Sequence, residues 1–205
     1  MNEFDIKAAE WDNDPIHWDR SATVANEIKN LIPLTREMIA LEYGAGTGIT
    51  SFLLKDHLKE IILMDNSTEM VKVMNQKIES SQVKNLKVLL FDLEHYDYES
   101  GTFDLIFTQM VLHHVTDVEN LIGRFNRLLN PGGHLAIADL YPEDGSFHGS
   151  GFTGHQGFDI QELSALLSKQ GFLNINHNKC FVINKKISIT ETRQFDVFLL
   201  TANRS

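Results

Sequence analysis

The chain has 205 residues, of which 42% are hydrophobic and 22% are charged, and this balance is typical of one globular domain of ordinary size. Its formal net charge of −10 argues against a nucleic-acid backbone as partner, because such binding depends on clustered Lys and Arg. No segment approaches the roughly 18 apolar residues of a membrane helix, and the first residues lack the features of a secretory signal. With Cys180 as the single cysteine, these features predict a cytoplasmic protein with a small-molecule partner, no nucleic acid and no membrane.

The first 140 residues alternate between apolar runs and segments of helical period. Residues 1–33 are predicted to form a helical arm, which contains Trp11 and Trp18. In the core, residues 38–140, strands are predicted within EMIALEYG, EIILMD, LKVLLFDLE, TFDLIFTQ and HLAIADL. Helices are predicted between them, within TGITSFLLKDHL, NSTEMVKVMNQKIESS and TDVENLIGRFNRLL. We expect Asn66 with Glu69 to open the second of these helices, and Thr116 with Glu119 to open the third.

The last third of the chain begins with an irregular segment. Residues 141–158 are rich in Gly, His and Phe and show no period, which is typical of a lid or substrate loop. Residues 159–205 are predicted to form a helix, opened by Asp159 and ended by Gly171, and then a pair of strands. All 205 residues are therefore interpreted as one domain.

Strands that alternate with helices predict an α/β fold. We expect a doubly wound, mostly parallel, seven-stranded Rossmann-like sheet with helices on both faces and an antiparallel last strand. Ligands of such sheets bind at the carboxyl ends of the strands. Polar residues are predicted at four of these ends: Glu42, Asp65, Asp92 and Gln109.

The most informative stretch is ALEYGAGTGIT, residues 40–50, a glycine-rich turn between a strand and a helix. A dinucleotide fingerprint, Gly-x-Gly-x-x-Gly, requires a third glycine where this sequence has Ile49. No Gly-Lys-Ser/Thr follows, so the phosphate-loop pattern is absent as well. The turn therefore predicts close approach of a ligand to the main chain, and neither phosphate motif fits it.

Several segments resemble class I S-adenosylmethionine-dependent methyltransferases. LEYGAGTG is similar to their first motif, LMDNSTEMV to the second, and FDLEHY to the segment that flanks the adenine. The stretch from FDLIFTQMVLHHV to NPGGHLAIADL resembles their fourth and fifth strands, in the family's order. The resemblance is closest to the small-molecule type, similar to the type 11/12 methyltransferase domains. It implies an enzyme that transfers a methyl group from S-adenosyl-L-methionine to a small-molecule acceptor.

The resemblance also implies a donor site along the strand ends. The turn residues Gly44, Ala45, Gly46 and Gly48 would let the methionine part lie against bare main chain. The other donor contacts that we predict are Trp11, Arg20, Glu42, Asp65, Asn66, Met70, Asp92, Leu93 and Gln109.

Each of these contacts has a chemical reason. The Asp65 carboxylate suits the ribose hydroxyls, and Asp92 with the amide of Leu93 suits the adenine, on which Met70 could pack. Glu42 would orient the turn or the ammonium, and Gln109 would accept from the ammonium. Trp11 offers an aromatic face to the sulfonium, and Arg20 would pair with the donor's carboxylate or with an acidic acceptor.

Methyl transfer is an in-line displacement, for which the protein mainly supplies alignment. A general base is needed only if the acceptor must lose a proton. Histidines suit that role near neutral pH, and the candidates are His113 and His114, which the family implies face the acceptor, with His148 and His155 in the loop. No His-Glu-x-x-His or Cys/His spacing is present, so the sequence predicts no metal site.

Two other functions compete with catalysis. A protein that binds S-adenosylmethionine without turnover, as a sensor or scaffold, would keep the same donor residues. A nicotinamide oxidoreductase is disfavoured by Ile49. The sequence leaves the acceptor, the accepting atom and the oligomeric state open.

Overall fold

In the computed structural model, which describes residues 3–205, seven strands form one sheet. They are β1 (Ile39–Tyr43), β2 (Glu60–Asp65), β3 (Leu86–Leu90), β4 (Phe103–Gln109), β5 (Leu129–Leu140), β6 (Phe172–Lys186) and β7 (Thr192–Arg204). Their order across the sheet is β3-β2-β1-β4-β5-β7-β6. The first five strands pair in parallel, and β7 is antiparallel to both of its neighbours. The predicted fold class is confirmed.

Helices cover both faces of this sheet. They are α1 (Glu3–Lys7), α2 (Pro15–Leu31), α3 (Ile49–Leu54), α4 (Thr68–Ser81), α5 (Val118–Leu128) and α6 (Ile160–Lys169). Short 3₁₀ turns lie at Ala8–Asn13, Lys55–His57 and Leu112–His114. Between residues 3 and 205, no helix combines the length and the apolar character that crossing a bilayer requires. Of the predicted arm, Met1 and Asn2 lie outside the described residues.

The strands read as continuous apolar runs because side chains pack against both faces of the sheet. In β4, Leu105 and Phe107 belong to the core on one face, and Ile106 belongs to the core on the other. All three side chains are buried, with at most 1% of their surface exposed. The apolar runs therefore predicted the strands correctly.

The helix starts differ from the prediction by one residue. Ser67, not Asn66, caps α4, and its hydroxyl accepts a hydrogen bond from the amide of Met70. Asp117, not Thr116, caps α5 by accepting from the amide of Asn120. In both cases two neighbouring polar residues could cap the helix. The second of the two is the cap because its side chain reaches the amide three residues further along the chain.

Two strand ends also differ from the prediction. β3 ends at Leu90, so Asp92 lies in the following turn rather than on the strand. β5 begins at Leu129 and runs through the Asn-Pro-Gly-Gly segment, with a register shift opposite Phe103 and Leu105 of β4. Leu129 and His134, on either side of the segment, pair with Phe103 and Leu105 of β4, so the Pro and Gly residues lie in the irregular part of the pairing.

Parallel pairing brings the carboxyl ends of β1, β2, β4 and β5 to one edge of the sheet. Tyr43 pairs with Met64 on one side and with Thr108 on the other, and Gln109 pairs with Ala138. The residues that follow these strands therefore meet at that edge, as the sequence predicted.

Candidate active site

A cavity of about 670 Å³ lies at this edge, between the N-terminal arm and the loop of residues 141–158. Its volume is within the range of about 300–1,000 Å³ that is typical of small-molecule sites. Most of the residues predicted for the site line it: Trp11, Arg20, Glu42, Gly44, Ala45, Gly46, Asp65, Asn66, Met70, Asp92, Leu93, Gln109, His113, His114 and His148. Gly48 and His155 are not part of the lining.

The three glycines of the turn have three different surroundings. All have positive φ: 66° at Gly44, 58° at Gly46 and 79° at Gly48. A Cβ at Gly44 would collide with the side chain of Val111, and one at Gly48 would lie 2.6 Å from Leu63 Cδ2. A Cβ at Gly46 would meet no atom of the described residues within 4 Å. The open approach for a ligand is therefore at Gly46, and Gly48 has a packing role instead of a place in the lining.

Asp65, at the end of β2, fixes this turn. Its Oδ2 accepts a hydrogen bond of 2.7 Å from the amide of Gly46, and its Oδ1 accepts one of 2.8 Å from the amide of Ser67. Burial raises the pKa of Asp65, and these two amide donors oppose that rise. Each carboxylate oxygen keeps a further lone pair, so the carboxylate can also accept from two hydroxyl groups of a ligand.

Glu42, at the end of β1, is a buried acid in the wall of the cavity. Only 3% of its surface is exposed, and it accepts hydrogen bonds from the amide and the hydroxyl of Ser51. Burial raises the pKa of Glu42 to about 7. A cationic ligand beside it would favour its charged form, because opposite charges lower the pKa of an acid.

Arg20 and Gln109 line the cavity, and each has a buried polar atom without a hydrogen-bond partner among the described residues. Arg20 is 7% exposed, and burial lowers its pKa to about 10 against the opposing charge of Asp139. Gln109 donates through Nε2 to the hydroxyl of Ser21. Among the described residues, Arg20 Nε and Gln109 Oε1 are buried and have no hydrogen-bond partner. Such atoms are costly to leave unpaired, and a guanidinium beside an amide oxygen complements a carboxylate beside an ammonium.

The other end of the cavity is more apolar. Met70 and Leu93 are each 1% exposed, and Asn66 lies in the lining near them in sequence. The Asp92 carboxylate is engaged within its own turn. Its Oδ1 accepts a hydrogen bond from the amide of Glu94, and its Oδ2 lies 2.9 Å from His95 Nδ1. A flat apolar ligand group such as a base could pack at this end.

The family model for a methyltransferase domain matches residues 41–137, which contain the turn, Asp65, Asp92 and Gln109. Residues 41–137 thus match the methyltransferase family that the sequence motifs resemble. An uncharacterized methyltransferase of Schizosaccharomyces pombe is 28% identical over 153 residues, which cover 67% of this chain and 54% of the relative. The chain thus spans about half the length of that relative.

Solved structures give the same fold at low sequence identity. A chain from the complex of the Haloferax volcanii Trm112 methyltransferase activator with a methyltransferase has a TM-score of 0.78 and 18% identity, covering 100% of this chain and 98% of that one. Haemonchus contortus phosphoethanolamine N-methyltransferase 2, in complex with phosphomonomethylethanolamine and S-adenosylhomocysteine, has a TM-score of 0.74 and 16% identity, covering 91% of this chain and 52% of that one. The predicted family and fold are confirmed.

The segment after β4 and the end of β5 hold a buried histidine–carboxylate pair. His113 and Asp139 are 1% and 0% exposed, and His113 Nδ1 lies 2.6 Å from Asp139 Oδ1. The amide of His113 also donates to Asp139 Oδ2. A carboxylate acceptor places the ring proton on Nδ1, so Nε2 carries the lone pair.

Sequence reasoning missed Asp139, although a signal was present. Asp139 is an acid near the end of the apolar run LAIADL, on β5. The same pattern, an acid at the end of an apolar strand, singled out Glu42 and Asp65.

Of the four candidate histidines, three lie together at the cavity and one lies apart from it. The rings of His113, His114 and His148 have centroids 4.3–5.0 Å apart at the cavity. His155 lies outside the lining; its Nε2 is 3.1 Å from the carbonyl oxygen of Val115, and its amide donates to the carbonyl of His113. The structure thus gives His155 the role of tying the loop to the segment after β4.

The arm is tied to the glycine turn by three residues, which we call the arm linkage: Asp12, Thr47 and Lys77. Lys77 Nζ lies 2.6 Å from Asp12 Oδ2 and donates to the carbonyl of Thr47, while the hydroxyl of Thr47 donates to Asp12 Oδ1. Trp11 lines the cavity and stacks on His17 with centroids 4.1 Å apart. Trp18 is 40% exposed and is not in the lining. Sequence analysis found the arm but not this linkage.

Proposed function

We propose that this methyltransferase transfers the methyl group of S-adenosyl-L-methionine to a small-molecule acceptor. The observation that carries the proposal is that Arg20 and Gln109, each with a buried polar atom that has no hydrogen-bond partner among the described residues, line the same cavity as the open turn at Gly46. The guanidinium complements the donor's carboxylate, and the amide oxygen complements its ammonium. Glu42 adds a buried acid to the same cavity, and the positive charge of the donor would favour its charged form.

The rest of the donor matches the remaining lining. Asp65 can accept from the two ribose hydroxyls while it holds the turn, and Met70 and Leu93 offer apolar surface to the adenine. The Haemonchus contortus enzyme, which has this fold, was solved with S-adenosylhomocysteine, the demethylated donor. This supports the same occupant here.

A small acceptor fits the enclosure of the site. The arm contributes Phe4 and Trp11 to the lining, and the loop contributes Phe147 and His148. A cavity of about 670 Å³ between these segments leaves room for a modest acceptor beside the donor. The cytoplasmic location remains a prediction from the sequence.

His113 is the proton acceptor in this proposal. As the acceptor atom attacks the methyl carbon, the carbon–sulfur bond breaks and its electron pair stays on sulfur. The acceptor's proton passes to His113 Nε2, and Asp139 holds the imidazole tautomer and stabilises the imidazolium that forms.

The proposal is tested first by calorimetry with S-adenosylmethionine, S-adenosylhomocysteine and NAD. We expect the protein to bind S-adenosylmethionine and S-adenosylhomocysteine, and the Asp65→Ala variant to bind both several-fold more weakly. Absence of heat with both adenosyl compounds, or binding of NAD alone, would overturn the proposal. The protein is then incubated with the donor and with pools of metabolites, and consumption of the donor is measured. If the donor binds but no pool leads to its consumption, the sensor alternative is favoured.

The base is tested once an acceptor is known. We expect His113→Gln and Asp139→Asn to lower kcat by about 10²–10⁴-fold, with donor affinity unchanged and the rise of rate with pH abolished. The matched control is His155→Gln, whose ring lies outside the cavity lining. Equal losses in all three variants would contradict the role of His113.

A further inference from the structure

Three histidines meet in the cavity from two separate segments: His113 and His114 follow β4, and His148 lies in the loop of residues 141–158. We call them the histidine cluster. Each offers one ring nitrogen, and these nitrogens all lie within 4.8 Å of one another. We propose that the histidine cluster is a binding site for a divalent transition metal ion of the Zn²⁺ type.

The spacing suits such an ion after small side-chain rotations. Zn–N bonds of about 2.0–2.1 Å in tetrahedral geometry place ligand nitrogens roughly 3.3 Å apart. The observed limit of 4.8 Å is therefore close to a ligating arrangement. His148 is followed by Gly149 and Gly151, both with positive φ, in a segment without regular structure. This part of the loop can adjust to bring the third ring inwards.

The surroundings of the rings match those of metal ligands. His113 Nδ1 is bonded to the buried carboxylate of Asp139, which leaves Nε2 as the ligating atom. A carboxylate behind a ligating histidine fixes its tautomer and raises its basicity. His148 stacks on Phe152 at 3.9 Å, and His114 contacts Phe152 and Phe4 edge-on. These aromatic rings hold the two imidazoles and limit access of water.

The donor atoms select the class of ion. Imidazole nitrogen suits Zn²⁺, Cu²⁺ and Ni²⁺, whereas Mg²⁺ and Ca²⁺ prefer oxygen ligands. The neutral imidazole is the form that ligates such ions. Because all three residues line the cavity, a fourth position on the ion can face it.

Metal binding has a consequence for catalysis, and this consequence alone rests on the proposed function. His113 Nε2 has one lone pair, so an ion there and the acceptor's proton exclude one another. The metal-loaded protein is therefore unable to use His113 as a base, and Zn²⁺ acts as an inhibitor.

The experiment uses the full chain after treatment with a chelator. Zn²⁺ is titrated by calorimetry, and Co²⁺ is titrated by visible absorption, whose intensity reports a four- or five-coordinate site. We expect one ion per chain in wild type. His114→Gln and His148→Gln should each weaken binding by more than about 100-fold, and Asp139→Asn by about 10–100-fold.

The matched control is His155→Gln, which changes a histidine of the same loop whose ring is engaged with Val115 and lies outside the lining. It should bind Zn²⁺ as wild type does. Circular dichroism and melting without metal check that every variant folds. Equal Zn²⁺ affinity in His148→Gln and His155→Gln, or no stoichiometric binding by wild type, would overturn the proposal.

A second measurement needs no variant. Zn²⁺ should protect His114 and His148 from modification by diethyl pyrocarbonate, mapped by mass spectrometry, while the exposed His95 is modified equally with and without the ion. Unchanged modification of His114 and His148 at saturating Zn²⁺ would contradict the site. These readouts are independent of donor binding, so failure here leaves the proposed function standing, and the reverse also holds.

Discussion

At the scale of single residues, the glycine turn combines backbone strain with ligand access. Gly44 and Gly48 are required by their neighbours Val111 and Leu63, whereas Gly46 faces open space. Substitutions at the three positions therefore have different consequences, although all three share a left-handed backbone.

We predict that Gly46→Ala weakens donor binding by more than about tenfold, because its methyl group enters the space of the donor. The left-handed backbone at φ 58° should also cost about 1–2 kcal/mol of stability. The matched control is Gly132→Ala, which has φ 76°, no atom within 4 Å and no place in the cavity lining. Calorimetry should show normal donor affinity for Gly132→Ala, and equal weakening in both variants would refute the placement of the donor at Gly46.

Glu42 makes the stability of the protein depend on pH. The folded protein holds the proton of this acid more tightly than the unfolded chain does, since burial raises the pKa from 4.5 to about 7. The contribution of Glu42 is therefore most favourable below pH 4.5 and is lost as pH rises towards about 7. Glu42→Gln removes this loss and keeps an acceptor for Ser51.

We predict that Glu42→Gln is more stable than wild type above pH 7, by at most about 3 kcal/mol, and that this gain disappears towards pH 4.5. Urea unfolding at several pH values measures the difference. Glu37→Gln, at an exposed glutamate, is the control and should show no such trend. A gain that is independent of pH would show that burial of the charge is not its cause.

Several of the predicted site residues that line the cavity share one signal, a polar residue at the end of an apolar strand. This signal works for Glu42, Asp65 and Gln109 because parallel strands bring their carboxyl ends together. It applies equally to Asp139, whose importance appears only once its contact with His113 is known. The meeting of His148 with His113 depends on the path of an irregular loop, which no periodicity encodes.

At the scale of elements, the arm linkage joins the N-terminal arm, α4 and the glycine turn. Lys77 of α4 contacts Asp12 of the arm and the carbonyl of Thr47. Its side chain is 23% exposed, so this ion pair is better shielded from solvent than a surface pair. The arm linkage is therefore one of the contacts that hold the arm beside the cavity.

We predict that Asp12→Ala loosens the arm, because it removes the partner of both Lys77 and Thr47. Amide hydrogen exchange in α2 should become faster while exchange in β4 is unchanged, and the donor should dissociate several-fold faster. Lys72→Ala, which breaks an exposed pair with Glu69 on the same helix, is the control and should change neither. Normal exchange in α2 of Asp12→Ala would contradict the linkage.

Elements were easier to predict than their ends. Burial of the sheet on both faces produces apolar runs, and these runs identify β1, β2 and β4. A helix start is harder to predict, because it depends on which of two polar neighbours, such as Asn66 or Ser67, accepts a hydrogen bond from an amide of the first helical turn. β5 begins at Leu129, ahead of residues that normally end a strand, and the pairing of Leu129 with Phe103 of β4 explains this start.

At the scale of the whole molecule, the cavity joins segments from most of the chain. The arm, the ends of β1, β2 and β4, the turn after β3 and the loop of residues 141–158 all contribute to its lining. A ligand that binds there is therefore linked to the global unfolding of the protein.

We predict that S-adenosylmethionine and S-adenosylhomocysteine at about 100 times their Kd add about 2.7 kcal/mol of stability. For a domain of this size the melting temperature should rise by about 5–11 °C. NAD at the same concentration is the control and should give no rise, since the dinucleotide fingerprint is interrupted at Ile49. An equal rise with NAD would contradict the assignment of the cavity.

The position of β7 bears on how this protein is made. β7 follows β6 in the chain yet lies between β5 and β6 in the sheet, so β6 emerges from the ribosome before the strand with which it pairs. Until residues 192–204 have been synthesised, β5 and β6 each present an unpaired edge, and such edges invite pairing with other chains. A nonsense mutation between residues 187 and 192 would therefore yield a product prone to aggregation and to clearance by cellular quality control, even though it retains the whole glycine turn.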